Sequence, residues 1–375
     1  MNAHRSSMML ILLSGSIFAG PFVSEAQSHA AKEWVSLSDW AKEKHFRETW
    51  LQKEESLVLT NESLKLSFKT DSPLAGINGV DVWLCNPITL KDGQPCISSL
   101  DLKTSIEPIL FPQTNQAGAR IQTICLDPGH GRKDTGGVFG RYVEKQYTLP
   151  LAEELAAQLE TAGFKVILTR TNDTFVALED RPALANRQKA DLFISLHFNI
   201  GPPGEAKGVE VYCLTPPKAS STNIGRWGHI SEWADWGHLN GWKDDNGLLP
   251  GDRCDDGNVL LAYQLQKSLV NHLPTNDRGL RRARFAVLRT AEMPAVLIEG
   301  GFLSDPVEQK KIADPKYRDE MAAAIVRGVL AYRHAVESQP APLAVPFAAN
   351  TDSPLQPGSA RIVSWRNYQP PNSNE

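Results

Sequence analysis

A surplus of positive charge is the first thing this chain lacks. Its 375 residues carry 39 lysines and arginines against 43 aspartates and glutamates, a formal net charge of −4. Nothing in that balance suits a polyphosphate backbone, so a general affinity for nucleic acid is not expected. Cysteine is scarce. There are five, an odd count, so at least one thiol stays free or pairs between chains. No internal repeat is visible. Beyond the first twenty residues no run is long and apolar enough to span a bilayer, so stable membrane insertion of the mature chain is not expected.

What is present begins with "MNAHRSSMMLILLSGSIFAG", where Arg5 precedes an apolar run from Met8 to about Gly20. Small residues suited to cleavage follow, near Ala26 or Ala30. Residues 1–30 read as a secretory signal peptide, because the apolar run is short for an anchor helix. The expected destination is periplasmic or secreted. Export permits disulfides. Cys85 and Cys96 flank a turn-like "NPITLKDGQP", and Cys213 and Cys254 bracket an irregular stretch, so both pairs are candidates. Cys125 sits inside an apolar run and reads as a buried free thiol.

Residues 31–112 read as a small N-terminal domain. Trp34, Leu37, Trp40 and Ala41 fall at helical spacing, which predicts a helix from Ala31 to about Glu55. From Leu57 to Leu110 apolar and polar residues alternate around an Asn-Gly turn, which predicts strands. "FPQTNQAGAR" reads as a linker. Residues 119–337 change character. "IQTICL", "KVILT", "DLFISL", "GVEVYCL", "FAVLR" and "AVLIE" are strand candidates. Helical stretches alternate with them: "KQYTLPLAEELAAQLETAG", stopped by Gly163, then "ALEDRPALANRQKA", "NVLLAYQLQKSLVNHL" and "KYRDEMAAAIVRGVLAYRHAVE". The expected fold is α/β, a mostly parallel sheet with helices on both faces, preceded by a small β-rich N-terminal domain. Residues 338–375 are rich in proline and polar residues and read as a disordered tail.

Open α/β sheets bind ligands beyond the carboxyl ends of their strands. Three strand candidates lead there to a polar residue: "ICLDPGH" to His130, "LFISLH" to His197 and "AVLIE" to Glu299. Glu144 opens the helix that follows the His130 loop, so it returns to the same edge. Taken singly, a carboxylate at a helix N-terminus or a histidine at a strand end is ordinary. Glu299 is harder to dismiss, since a carboxylate against "PAVLI" is costly to bury unpaired. Parallel strands bring the four together. Two histidines and a carboxylate suit zinc with one position open to water, and a second carboxylate suits general base work. Metal-assisted hydrolysis is the leading chemistry.

The motifs "LDPGHGRKDTGG", "VEKQYTLPLAEEL", "VILTRTNDTFVALEDRPALANRQKADLFISLHFN", "GVEVY" and "MPAVLIEGGFLSDPVEQKKI" run in order across roughly residues 121 to 335. Together they resemble the zinc-dependent N-acetylmuramoyl-L-alanine amidases of the amidase 3 kind. That family cuts the amide between the lactyl group of N-acetylmuramic acid and the first L-alanine of the stem peptide in peptidoglycan. The resemblance implies Zn2+ held by His130, Glu144 and His197, with Glu299 as the catalytic glutamate. Phe198 departs from the small residue usual after the second histidine and is expected to narrow the pocket.

Between "GVEVYCL" and "NVLLAYQL" lies an insert, residues 215–257, longer than the family core requires. It holds Trp227, Trp233, Trp236 and Trp242 with His229 and His238. Three readings stand open: a packed surface subdomain, a wall of the substrate groove, or a lid. The lid is what the resemblance implies, since some amidases of that family carry an inserted helix here that covers the zinc until a partner, an activator protein, removes it; "SEWADWGHL" would be that helix and Glu232 would cap the metal. "DRGLRRARFAVLR" places Arg278, Arg281, Arg282 and Arg284 before a strand candidate, and stem peptides carry carboxylates that arginine binds bidentately. Arg282 and Arg284, with Asn199, are the expected substrate residues. The N-terminal strands loosely resemble copper amine oxidase N-terminal-like modules. No copper is implied, since Leu57 to Leu110 contains no histidine. Two alternatives remain beside the amidase: a zinc peptidase of similar sheet plan acting on wall peptides, and a non-catalytic wall-binding protein.

Overall fold

The computed structural model describes residues 33–115, 119–222 and 247–337. The expected leader and tail lie outside them. One large sheet organises the rest. Its strands, in chain order, are β1 (Arg47–Gln52), β2 (Ser56–Thr60), β3 (Lys65–Lys69), β4 (Leu74–Ile77), β5 (Val80–Trp83), β6 (Thr123–Pro128), β7 (Lys165–Leu168), β8 (Leu192–Asn199), β9 (Val209–Leu214), β10 (Asp277–Ala283) and β11 (Ala295–Phe302). In space they run β7-β6-β8-β11-β9-β10-β5-β4-β3-β2-β1.

This sheet is mixed, which corrects the expected mostly parallel one. β7, β6, β8 and β11 are parallel, but β9 lies antiparallel to β11. The cause is the connection. Only residues 200–208 join β8 to β9, fewer than the dozen or so that a parallel crossover needs, so the chain turns back. β10 and β5 run parallel to β9, and β5 to β1 form an antiparallel meander. The β4–β5 hairpin closes through Asn78 and Gly79, both left-handed, the backbone that a two-residue turn demands. The N-terminal strands are therefore β-rich as expected, and they extend the same sheet through the β5–β10 pairing.

Three other local expectations change. The stretch 31–55 is a strand (Trp34–Ser36), a helix of two turns (Leu37–Glu43) and β1. Leu37, Trp40 and Ala41 do bury one helical face, but His45 takes a left-handed φ of 58° and ends the helix. "FAVLR" is no strand: Ala286–Arg289 is a short helix, and the preceding "DRGLRRA" is β10. A five-residue apolar run does not distinguish the two by periodicity. All five cysteines are free, so neither expected disulfide forms. Cys213 points from β9 into the core and Cys96 lies in a separate three-stranded sheet, away from their expected partners. Burial pushes the Cys125 thiol up to about 12, in keeping with an inert buried position.

Strand alternation divides the sheet into two faces. Ile124 and Leu126 of β6, Ile194 and Leu196 of β8, Val211 of β9 and Ile298 of β11 enter the larger core. Helices Lys145–Thr161, Asp255–His272 and Pro315–Glu337 cover that side with Leu151, Leu155, Leu159, Leu261, Leu265 and Ile325. Cys125, Phe193, Tyr212 and Leu297 face the other way, under the shorter helices Asp180–Arg187 and Ala286–Arg289. The thinner cover on this second face leaves its strand ends open to a cavity.

The β5–β10 seam is a close backbone approach. Gly279 has a φ of 89°, and a Cβ there would meet the Asp81 carbonyl at 2.9 Å and the Trp83 indole at 2.9 Å. Gly279→Ala is expected to cost about 1–3 kcal/mol from backbone strain, read as a lower urea midpoint at unchanged slope. An unchanged midpoint overturns this account of the seam.

Candidate metal centre

Three strand ends and one helix start converge on the open face. In register, His197 of β8 faces Glu299 of β11, and Glu299 faces Glu210 of β9. Paired residues share a face, so these three side chains stand in a row. His130 arrives from β6 by one turn past Pro128, and its loop is tied back where Gly129 N–H donates to the Leu196 carbonyl at 3.0 Å. Glu144 stands at the N-terminus of the helix Lys145–Thr161 on the same side, its side chain turned to the centre and not to the helix.

The glycines of "DPGHGRKDTGG" make room for imidazole rings. A Cβ at Gly129 would stand 2.3 Å from the His197 ring, and one at Gly136 would stand 2.4 Å from His130 and 2.5 Å from Glu144. The rings pack edge to face, 4.8 Å between centroids. One ligand atom from each of His130, Glu144 and His197 lies within 4.8 Å of the others.

Glu144 joins the set. Its Oε2 sits 3.0 Å from His130 Nε2 and its Oε1 2.9 Å from His197 Nδ1. Backbone N–H groups of Gly137 and Phe198 donate to the same two oxygens, at 2.7 and 3.1 Å. Burial alone would raise the Glu144 carboxyl, but the two imidazoles overcome it and hold it well below the usual range. Burial likewise opposes the charge on His130, yet Asp134 on Nδ1 (2.9 Å) and Glu144 on Nε2 raise it to about 9. Glu299 differs. Burial first, then the Glu144 and Glu210 charges, push its carboxyl well above the ordinary value, and its Oε2 is buried without a hydrogen-bond partner.

Behind the centre lies a cradle that sequence reasoning did not single out. His130 has a left-handed φ of 64°, a strained setting for a bulky residue. Arg170 donates to the carbonyls of Pro128 and Gly129, and Arg181 to those of Pro128 and His130, at 2.8–3.1 Å. Arg181 also pairs with Asp127 at 2.8 Å, both fully buried. Burial works against the Asp127 charge, but Arg181, Thr169 and Ser195 outweigh it and hold the carboxyl low. The signal was available: "TR" after β7 and an arginine in "LEDRPAL" stand beside polar positions of an otherwise apolar sheet.

A cavity of about 540 Å³ opens over His130, Glu144, His197 and Glu299, and Asn199 lines it. Arg282 does not face it. It is fully buried on the opposite face, paired with Asp255 at 2.6 Å and donating to the Leu214 carbonyl. Arg284 also lies off the cavity wall, donating to the Ala219 carbonyl at 2.6 Å. The arginines that do line it are Arg278 and Arg281. Strand alternation decides this, since Arg281 and Arg282 are neighbours and must point apart. Phe198 lines the cavity, but its ring packs into the larger core, edge-on to Tyr147 at 6.5 Å. The tryptophans at 227, 233, 236 and 242, with His229, His238 and Glu232, lie outside the described residues.

Fold and site together define a class: an α/β protein whose strand ends bring two imidazoles and two carboxylates to one cavity. The chain belongs to the Amidase_3 family of N-acetylmuramoyl-L-alanine amidases, whose model matches residues 124–331. It is 30% identical over 263 residues to the N-acetylmuramoyl-L-alanine amidase AmiA of Escherichia coli K12, covering 68% of this chain and 90% of that one. Against the amidase LytC of Bacillus subtilis 168 it is 30% identical over 211 residues, 56% of this chain and 35% of LytC. The crystal structure of an N-acetylmuramoyl-L-alanine amidase from Clostridium difficile 630 is 33% identical, covers 57% of this chain and 97% of that one, and has a TM-score of 0.45. The protein is accordingly an N-acetylmuramoyl-L-alanine amidase, a hydrolase of cell-wall peptidoglycan. The peptidase and the inert wall-binding alternatives fall away.

Two outcomes are expected from this geometry. Arg181→Met leaves Asp127 buried and unpaired, which costs roughly 3–5 kcal/mol, measured by chemical denaturation. A loss below about 1 kcal/mol would mean that the pair is not closed in solution. The second concerns pH. Folded, His130 keeps its proton to about 9, against 6.5 for the free side chain. Its stabilisation of the metal-free protein is therefore complete below pH 6.5 and lost as pH rises through about 9. Thermal melts of chelator-treated protein should fall across that window. A flat profile contradicts the His130–Glu144–Asp134 network.

Proposed function

We propose that the amidase works as a zinc enzyme, with His130, Glu144 and His197 as the metal ligands and Glu299 as the proton carrier. One observation carries this reading: three ligand atoms of mixed nitrogen and oxygen type meet within 4.8 Å. Glu299, their neighbour in register with His197, keeps an unpartnered Oε2. The donor set fits zinc, which takes histidine nitrogen and carboxylate oxygen and leaves a fourth position open in catalytic sites. Asp134 on His130 Nδ1 completes the carboxylate–histidine pairing that fixes a ligand's tautomer.

Zinc, when bound there, acidifies water and polarises the substrate carbonyl. The remaining work belongs to the chain. Glu299 Oε2 takes a proton from the attacking water, whose oxygen bonds to the lactyl carbonyl carbon. The carbon–nitrogen bond then breaks, and Glu299 returns the proton to the L-alanine nitrogen. Its raised proton affinity suits a group that must both take and give. Asn199 is held by Glu210 at 2.9 Å on the cavity wall, a fit place for a substrate hydrogen bond.

Export belongs to the same proposal. Residues 1–30 serve as a cleaved leader, which delivers the enzyme to the periplasm or beyond, where its substrate lies. No helix among the described residues is long and apolar enough to cross a membrane. An activator protein acting on the 215–257 insert is part of the proposal, supported by the length and tryptophan content of that segment.

Glu299→Gln should keep its zinc and lose turnover by about 10²–10⁴-fold. His130→Ala should lose the metal itself. Metal content, together with mass analysis of stem peptides released from sacculi, reads both. Near-normal turnover by Glu299→Gln would overturn the assignment.

A further inference from the structure

The cavity wall opposite the His130 loop is built around arginines. β10 slips register between Asp277, which faces Val209, and Leu280, which faces Val211. One extra residue is thereby taken up around Gly279, and Arg278 and Arg281 both turn to the cavity. Their Nε atoms lie 2.9 and 3.0 Å from the same oxygen, Glu210 Oε2. Glu210 Oε1 accepts from Asn199 at 2.9 Å and from the Tyr212 hydroxyl at 3.0 Å. That carboxylate is saturated, and two guanidiniums against one anion leave positive charge on the wall.

Both guanidiniums are held by aromatic rings. Arg281 lies 4.4 Å from the ring centre of Trp83, and Arg278 lies 4.6 Å from that of Phe302. The Trp83 indole N–H donates to the Arg278 carbonyl at 2.9 Å. Arg281 Nη1 has a long bond to the Thr222 carbonyl, 3.3 Å, and no described residue accepts from the Nη atoms of Arg278. Stacked guanidiniums with their inner nitrogens occupied and outer ones turned to a cavity are prepared for a planar anion.

We infer that Arg278 and Arg281, backed by Trp83, form a subsite for a carboxylate on the peptide side of the substrate. The inference rests on the amidase reading above. β10 lies two strands from β11, a backbone separation of roughly 10 Å, which about three extended residues span. The acidic group should therefore lie within the first three residues of the stem peptide. Trp83 falls outside residues 124–331, the family match. The N-terminal strands thus supply a specificity wall to the active cavity.

The test uses the full zinc-loaded protein and two compounds, N-acetylmuramoyl-L-alanyl-D-glutamate and its diamide. The wild-type protein should favour the acid at least about tenfold in kcat/KM, mainly through KM, the scale of a hydrogen bond to a charged group. Arg278→Gln and Trp83→Leu should bring that ratio towards one. A wild-type ratio near one, or variants that lose both activities in parallel at unchanged ratio, overturns the subsite. Where a variant fails to fold, or neither compound is cut, competition decides. L-alanyl-D-glutamate should inhibit wild-type digestion of sacculi at a tenfold lower concentration than its diamide, and equal inhibition overturns the inference. A wild-type protein that releases no stem peptide even from sacculi would instead refute the amidase reading.

Discussion

Everything at this centre hangs on the Glu144 carboxylate. Each oxygen meets one imidazole nitrogen and one backbone N–H: His130 and Gly137 on one side, His197 and Phe198 on the other. Those four contacts come from the His130 loop and from β8. One side chain therefore ties the His130 loop to the end of β8. Metal-site donors repel one another when deprotonated and unfilled. A proton on His130 makes the cluster attractive without an ion, which is why His130 is drawn upward and Glu144 downward together. The same lone pairs would become available to a metal ion once that proton leaves, so under the zinc reading proposed above site assembly and metal uptake would be coupled through pH.

Much of this was legible in the sequence because strand ends are punctuated. His130, His197 and Glu299 each follow an apolar run, and alternation of strands and helices predicts a common edge. Glu144 was legible from its place at a helix start. What escaped was face, direction and polar support. Arg282 looked as good as Arg281, and only the phase of β10 separates a cavity wall from a buried ion pair with Asp255. That phase depends on the slip at Gly279, which composition does not reveal. The sheet's direction turned on the shortness of 200–208, a signal present in the spacing of "LFISLHFN" and "GVEVYCL". Arg170 and Arg181 were visible only as arginines beside an apolar sheet; their role as donors to the His130 turn appears once that turn's left-handed backbone is known.

The N-terminal strands change the meaning of the sheet. Alone, β10 would be an edge strand with unpaired backbone groups, a template for pairing with another chain. β5 covers it, and Asp277 reinforces the seam by accepting from Asp81 N–H at 3.0 Å. The meander then buries Leu57, Leu59, Leu66, Phe68, Ile77 and Val82 on the same face as the larger core. Alternation along β5 turns Val82 into that core and Trp83 towards the cavity. An element that first reads as an appended module is thus tied to the catalytic part by hydrogen bonds, by packing and by one aromatic side chain.

Glu210 and Glu299 show how the protein distinguishes two carboxylates that face each other on adjacent strands. Both lie in the same cavity, at the same height, in the same low-dielectric surroundings. Glu210 is given two guanidiniums, an amide and a phenol, and has no lone pair in want of a donor. Glu299 Oε2 is given none. Buried without a donor, the Glu299 carboxylate binds a proton readily. The negative charge of Glu210 adds to that of Glu144 in raising Glu299. The arginines on β10 engage Glu210 and not Glu299, so of the two carboxylates in the row only Glu299 keeps a buried oxygen without a donor, as the proposed proton carrier requires.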